Sequence, residues 1–148
     1  MEAWRENENI DFDFFDAHDL YVSRDTSKPE TIKANLRERM KTAKQFVLLG
    51  SAEAKKKGGD GTSFLAYEIE TMISLGLPVV VVNLDGDRKV DKNFIPKPLL
   101  DSDYYTMSVS YQPQIIKSDT DNYATEFASS DNTGPYNYKA SVYESLGL

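Results

Sequence analysis

The sequence of 148 residues contains no cysteine and a single histidine. Without cysteine the chain can form neither a disulfide framework nor a thiolate metal site. One histidine is too few for a zinc site of the usual histidine type. We therefore predict that the protein holds no metal.

The sequence also lacks any excess of positive charge, since 17 basic against 24 acidic residues give a net charge of −7. That charge repels phosphate backbones and anionic lipids, so we expect neither nucleic acids nor membranes among the partners. The apolar runs are too short to span a membrane, and no basic segment followed by an apolar run opens the chain. We expect a cytoplasmic protein.

A chain of this length favours one domain, and the sequence is organised around residues 64–76. This stretch lies between two apolar runs, residues 45–49 and 79–84, which read as strands buried on both faces of a parallel sheet. We predict a helix between them, because Gly76 supplies a left-handed end and Pro78 prevents continuation. The apolar residues at helical spacing are Leu65, Ile69, Met72 and Ile73.

Upstream of this helix the patterns predict a strand, a helix and a loop. Residues 10–16 alternate apolar and acidic side chains, which is typical of a strand at a sheet edge. Ser27 and Glu30 form a capping box for a helix. Its buried face is predicted to hold Ile32, Leu36, Met40 and Ala43. Residues 55–61 contain no core-forming residue, so we predict a mobile loop there.

Downstream, residues 105–111 are predicted to form the last strand, at a sheet edge because the strand is half polar. A final helix is predicted over residues 113–127, followed by a C-terminal extension over residues 128–148. Four strands alternating with three helices indicate a flavodoxin-like α/β domain, a three-layer sandwich with a parallel sheet.

The first strand of that topology is central, yet nothing in this chain corresponds to it. The strands predicted at residues 10–16 and 45–49 would be separated by a gap of about 10 Å, which is two strand spacings. We therefore expect the first strand to be missing or supplied from elsewhere.

Glu68 is the most conspicuous candidate for chemistry. It is predicted to lie on the border of the apolar stripe, about one turn into its helix. That helix begins at the carboxyl edge of the sheet, where open α/β sheets bind ligands. A site carboxylate is one interpretation, and an ordinary solvated helix residue, like Glu70, is the other.

Segments spread over nearly the whole chain carry a resemblance to a known family. The most specific is an aromatic-Glu-Ile triplet that opens the helix after the third strand, here Tyr67, Glu68 and Ile69. The other segments are residues 13–20, 31–44, 46–51, 79–84 and 138–143. Together they resemble the TIR-like domain family that includes the ThsB sensor subunit of the Thoeris anti-phage system. The resemblance implies that residues 1–148 form a single TIR-like domain.

The family's catalytic members cleave NAD at the nicotinamide–ribose bond and often cyclise the ADP-ribose into a signal. The resemblance therefore implies that Glu68 is catalytic, that Tyr67 contacts the substrate, and that NAD is a substrate rather than a bound cofactor. It also implies an effector protein that responds to the nucleotide signal. TIR-like relatives often complete their site by assembly, so a homo-oligomer is expected.

A single carboxylate fits this chemistry. Hydrolysis of an ordinary glycoside needs a second carboxylic acid to protonate the departing oxygen. Nicotinamide instead leaves as a neutral base from a cationic precursor and needs no proton. One anion beside the ribose can accept hydrogen bonds from its hydroxyls and stabilise the oxocarbenium-like charge.

Five further polar residues are candidates for substrate binding. Asp16 and Asp19 can orient ribose hydroxyls or simply cap a turn, and His18 can contact a phosphate or the adenine or be a polar surface residue. Ser51 and Asn83 end neighbouring strands, where they either face the ligand or only terminate the strands.

The glycine-rich residues 58–63 could bind a pyrophosphate through their amides. They lack the Gly-Lys-Ser/Thr ending of a phosphate loop, so we favour a flexible lid.

Two other functions stay open at this point. A TIR-like domain can be a non-catalytic module that binds partners through helix faces, since like folds serve unlike functions. A flavodoxin or response-regulator relative is a weaker match. A receiver domain needs a phosphoacceptor aspartate after its third strand, where this chain has Gly50 and Ser51.

Overall fold

The computed structural model describes residues 28–148. The strand predicted at residues 10–16 and the candidates Asp16, His18 and Asp19 lie outside the described residues. The predicted capping box of Ser27 and Glu30 is wrong, because Lys28 is the N-cap of the helix that begins at Pro29 and its side chain makes no capping hydrogen bond. The described part is an α/β domain with an all-parallel sheet flanked by helices, which confirms the predicted flavodoxin-like fold class.

Four strands form the sheet in the order β1-β2-β3-β4. They are β1 (Phe46–Gly50), β2 (Val79–Asn83), β3 (Thr106–Ser110) and β4 (Pro135–Asn137). Adjacent strands run parallel throughout, and Gly50, Asn83 and Ser110 are aligned across β1, β2 and β3. The carboxyl ends of these three strands are therefore level at one edge of the sheet, and we call this the carboxyl edge.

Six helices accompany the strands within the described residues. They are α1 (Pro29–Met40), α2 (Ala52–Gly58), α3 (Phe64–Leu75), α4 (Lys97–Asp101), α5 (Pro113–Ser129) and α6 (Ala140–Ser145). Over residues 28–148 none of them has the length and apolar character that a membrane crossing requires.

Two apolar cores lie on opposite faces of the sheet because successive side chains of a strand point to opposite sides. The first core joins alternate strand residues to helices α1 to α4 through Leu36, Met40, Leu48, Ile69, Met72, Val79, Val81, Ile95 and Leu99. The second joins the other strand residues to α5 and α6 through Val80, Val82, Met107, Val109, Ile115, Ile116, Tyr123 and Tyr143. Every residue of β2 is buried, as the sequence predicts for this strand.

The helix α3 has the ends that its sequence indicates. The Ser63 hydroxyl accepts a hydrogen bond from the Ala66 amide at 3.1 Å and so caps the first turn. Gly76 ends the helix in the left-handed conformation with a φ of 66°. Only a short turn separates Gly76 from β2, so α3 runs antiparallel to the strands and its N-terminus lies toward the carboxyl edge.

The mobile loop predicted over residues 55–61 is wrong for its first half. Helix α2 extends from Ala52 to Gly58, and its Lys56 and Lys57 are exposed. Gly58 is buried where α2 meets α3, and a Cβ there would lie 2.5 Å from Ile69 Cδ1 and 2.7 Å from Pro96 Cγ. Because glycine has no side chain, α2 and α3 can approach each other closely at Gly58. This close packing holds α2 in place although residues 55–61 contain no core-forming side chain.

Two other details of the prediction are corrected. Ala43 is exposed, because α1 ends at Met40 before reaching it. The strand β3 is not an edge, since β4 pairs with it on the side away from β2 and all five of its residues are buried. Residues 128–148 thus contribute β4 and α6 to the folded domain.

Candidate functional site

The Glu68 side chain is buried on α3, with 7% of the residue exposed. The buried arc of this helix extends beyond the apolar stripe on the Glu68 side, because Thr71 and Met72, one turn further along, are buried too. Glu70 lies on the opposite border and is exposed. The structure therefore places Glu68 deeper than the border position that the apolar pattern predicts. A buried ionisable side chain near a ligand-binding edge is a candidate for a functional group.

The Tyr67 ring is half-buried and faces α1, where the Lys33 ammonium group lies 5.1 Å from the ring centroid. This cation–π contact joins α1 to α3. Tyr67 therefore has a packing role next to Glu68, and its contact with a substrate stays a prediction.

Ser51 lies at the carboxyl edge, as its position after β1 indicates, and it caps α2. Its hydroxyl accepts a hydrogen bond from the Ala54 amide at 3.1 Å. Ser51 thus has a local structural role of the kind that the strand-termination reading supposes.

Asn83 is fully buried at the end of β2 and holds the loop that follows it. Its Nδ2 donates to the carbonyl oxygens of Asp87 at 3.0 Å and Lys89 at 2.8 Å. Its Oδ1 is buried without a hydrogen-bond partner in the described part of the chain. A Cβ on Gly50 would lie 3.4 Å from that oxygen, so the Asn83 side chain leans over the end of β1.

Side-chain contacts hold the loop of residues 84–90 over the carboxyl ends of β2 and β3. They involve residues that the sequence did not mark as site candidates. The Arg88 guanidinium lies 4.5 Å from the centroid of the Tyr143 ring. The Tyr143 hydroxyl in turn accepts a hydrogen bond from the Ser110 amide at 3.1 Å. The Val90 amide donates to Asn137 Oδ1 at 3.2 Å. These contacts join residues that are distant in sequence. Among these residues only Tyr143 was indicated by the sequence, because it belongs to the segment 138–143 that carries the family resemblance.

In the glycine-rich segment of residues 58–63, backbone amides are already hydrogen-bonded to a side chain of the same segment. Asp60 Oδ1 accepts hydrogen bonds from the amides of Thr62 and Ser63, both at 2.8 Å. The Ser63 and Thr62 amides hold the pKa of the Asp60 carboxyl below its usual value. The Ser63 hydroxyl also donates to the Lys57 carbonyl at 2.7 Å. These bonds argue against both the pyrophosphate site and the flexible lid.

Metal-ligating side chains are not gathered anywhere in residues 28–148. No group of three or more histidine, cysteine, aspartate or glutamate residues in that range is arranged to hold a metal ion.

A comparison with protein families gives a match. The family described as Thoeris protein ThsB, TIR-like domain, matches residues 1–89, which is more than half of the chain. The matched region contains Glu68, Tyr67, Ser51 and Asn83 in the described part, and also residues 1–27 outside it. The search of curated proteins found no match for the chain.

Proposed function

Because the chain belongs to the family of Thoeris ThsB TIR-like domains, we propose that this defence-related protein cleaves NAD at the nicotinamide–ribose bond, with Glu68 as its catalytic carboxylate. The observation that supports the proposal best is the buried Glu68 side chain on α3, one turn from a helix end that lies toward the carboxyl edge. Burial matters because a charge acts more strongly where water is excluded.

The proposed reaction begins when the bond between ribose C1′ and the nicotinamide nitrogen breaks. Nicotinamide leaves with the bonding electron pair as a neutral base, so no acid has to protonate it. Positive charge develops on the ribose, and the Glu68 carboxylate stabilises it. A water molecule then bonds to C1′ and releases a proton to the solvent, which gives ADP-ribose. If a nucleophile of the ADP-ribose itself attacks C1′ instead of water, the product is a cyclic signalling nucleotide.

The described geometry suggests where the substrate would bind. Loop 84–90, Arg88 and Tyr143 cover the carboxyl ends of β2 and β3. We place the ribose on the β1 side of this edge, since the N-terminus of α3 lies toward the carboxyl edge. Asn83 leans toward this side and would support the substrate there with Ser51 and Tyr67.

Asp16, His18 and Asp19 would complete the substrate site from outside the described residues. We further propose that the protein acts in the cytoplasm as a homo-oligomer. An effector protein would respond to the nucleotide product.

Substitution of the carboxylate tests the proposal. We expect Glu68→Gln to lower nicotinamide release from NAD by about 100-fold or more, because the amide keeps the shape and removes the charge. Nicotinamide is measured by liquid chromatography, and circular dichroism checks that the variant is folded.

Glu70→Gln is the matched control, since Glu70 is exposed on the same helix and should leave turnover unchanged. Full turnover in Glu68→Gln would contradict the catalytic assignment. If the unmodified protein releases no nicotinamide even with lysate of phage-infected cells added, the non-catalytic interaction module is the better description.

A further inference from the structure

A second carboxyl group is buried in the layer of helices on the opposite face of the sheet from α3. Asp119 lies on α5 and is fully buried. Ile115 and Tyr123, one turn before and one turn after it, belong to the second apolar core, so Asp119 stands within the face of α5 that packs on the sheet. Neither carboxyl oxygen of Asp119 accepts a hydrogen bond of normal geometry from residues 28–148.

The groups that face Asp119 favour its neutral form. Glu126, on the same helix, is acidic and raises the pKa further, while the nearby Tyr138 hydroxyl lowers it only in part. The Tyr123 hydroxyl donates to the Tyr105 carbonyl at 2.9 Å, and the Tyr105 hydroxyl donates to Glu126 at 2.8 Å, so neither hydroxyl is available to Asp119. Burial is the largest cause and, with these neighbours, raises the pKa of Asp119 to about 7.

No cation compensates the buried carboxyl from the same helix. The ammonium group of Lys117 pairs with Asp121 at 3.0 Å on the solvent side of α5. Gln45 donates its Nε2 proton to the Thr120 carbonyl at 2.9 Å, and its own Oε1 is buried without a partner among the described residues. The Tyr138 hydroxyl can donate to Asp119, whereas the Glu126 carboxylate can only accept. A protonated carboxyl at Asp119 adds a donor, whereas a carboxylate adds only acceptors.

We propose that Asp119 is a proton-dependent switch, protonated while α5 is packed on the sheet and loosening α5 and α6 from the sheet when it ionises. An isolated buried carboxylate is costly, and the folded protein can avoid that cost by binding a proton or by exposing the group. Exposure requires α5 to move away from β2 and β3.

The proposed switch would also act on the carboxyl edge. The α6 residue Tyr143 belongs to the same core as α5 and contacts both Arg88 and the Ser110 amide. If α5 and α6 loosen together, the fastening of loop 84–90 over β2 and β3 is lost. Helices α5 and α6 would thus couple protonation of Asp119 to the position of loop 84–90 over the carboxyl edge.

The sign of the pH dependence follows from the two states. An unfolded aspartate has a pKa near its ordinary value of 3.8, whereas the folded value is about 7. Between these values the folded state binds more protons than the unfolded state, so stability falls as the pH rises. Above the folded pKa of about 7, Asp119 is ionised in both the folded and the unfolded state, so its effect on stability no longer changes with pH.

Amide hydrogen exchange of the full chain tests the proposal. We expect the protection of residues 113–129, corrected for the intrinsic pH dependence of exchange, to fall at least about tenfold from pH 5 to pH 8. Asp119→Asn, which resembles the protonated form, should keep its protection at pH 8. The control Asp121→Asn, on the exposed side of α5, should behave like the unmodified protein.

Equal pH dependence in Asp119→Asn and the unmodified protein would overturn the proposal, and so would constant protection in the unmodified protein. If Asp119→Asn fails to fold, carbon NMR of the Asp119 carboxyl in the unmodified protein decides the question. A titration midpoint between about 6 and 8 supports the switch, and a midpoint below about 5 rejects it.

Discussion

At the scale of single residues, the interior of the described domain contains several buried polar side chains. Glu68, Asn83 and Asp119 are all nine-tenths buried or more. Burying such groups is costly unless they are hydrogen-bonded or neutral. Asn83 satisfies the requirement by binding loop carbonyls, and Asp119 by taking up a proton, according to our proposal. Glu68 is the one that we assign to catalysis.

Asn83 gives a prediction about the loop that it holds. We expect Asn83→Ala to lower the free energy of unfolding by about 1–3 kcal/mol, because the carbonyls of Asp87 and Lys89 lose their buried donor. Loop 84–90 should then be cleaved faster by trypsin after Arg88 and Lys89. Urea unfolding and limited proteolysis measure the two effects.

The control for this prediction is Asn93→Ala, because Asn93 is exposed further along the same connection. It should change neither stability nor cleavage. Trypsin rates that are equal in Asn83→Ala and the unmodified protein would show that the Asn83 amide does not hold the loop.

The approximate positions of Glu68 and Asn83 could be predicted, because Glu68 follows from the period of 3.6 residues in its helix and Asn83 from its place at the end of a buried strand. Their surroundings could not. The Thr71 side chain, which extends the buried arc around Glu68, carries no hydrophobic signal, and the hydrogen bonds of Asn83 depend on how the following loop folds back. Asp119 was missed because a single acidic residue on an amphipathic helix usually faces water.

At the scale of elements, sequence reasoning succeeded where the periodic signal was strong. The helices α3 and α5 and the strand β2 have apolar residues at regular spacing, and the structure contains each of them. It failed for α2, whose packing relies on Ala54 and Gly58, and for β4, which has three residues. Each of these elements is stabilised by contacts with a neighbouring element. Such tertiary contacts leave no pattern in the local sequence.

The contact of α2 with α3 gives a prediction at this scale. We expect Gly58→Ala to lower the free energy of unfolding by about 1–3 kcal/mol, since the new methyl group would overlap Ile69 and the rigid ring of Pro96. Denaturant unfolding measures the change, with Gly59→Ala as the control. A Cβ on Gly59 would lie 3.3 Å from its nearest neighbour, the Lys55 carbonyl, so a smaller effect is expected. Equal stability of the two variants would show that the α2–α3 contact adapts.

At the scale of the whole molecule, the region matched by the family does not contain the complete core. Residues 1–89 include β1 and β2, but β2 packs on one face against residues from β3 and α5, such as Val109 and Ile115. Arg88, at the end of the matched region, contacts Tyr143 near the end of the chain. The proposed site therefore depends on the C-terminal third for its support as well as for its cover.

The outer edge of β1 is the remaining feature at this scale, and it bears on the prediction that a central strand is supplied from elsewhere. The Phe46 amide donates to the Pro78 carbonyl at 2.8 Å, and the Leu84 amide donates to the Gly50 carbonyl at 3.1 Å. The residues of β1 that bond to β2 are therefore the even-numbered ones. The amides of Val47 and Leu49 point to the other edge, where the described residues supply no partner strand.

We predict that this outer edge is paired, either by the strand expected at residues 10–16, by another upstream segment or by a second chain. The amides and carbonyls of an exposed strand edge form a ready template for pairing with another strand, and Leu49 on this edge is 40% exposed. Residue-resolved hydrogen exchange should show the amides of Val47 and Leu49 as well protected as that of Leu48. Fast exchange at Val47 and Leu49 beside a protected Leu48 would mean an open edge. A nucleotide crevice between β1 and a central strand would then have no second wall, and the proposed position of the ribose beside Glu68 would have to be abandoned.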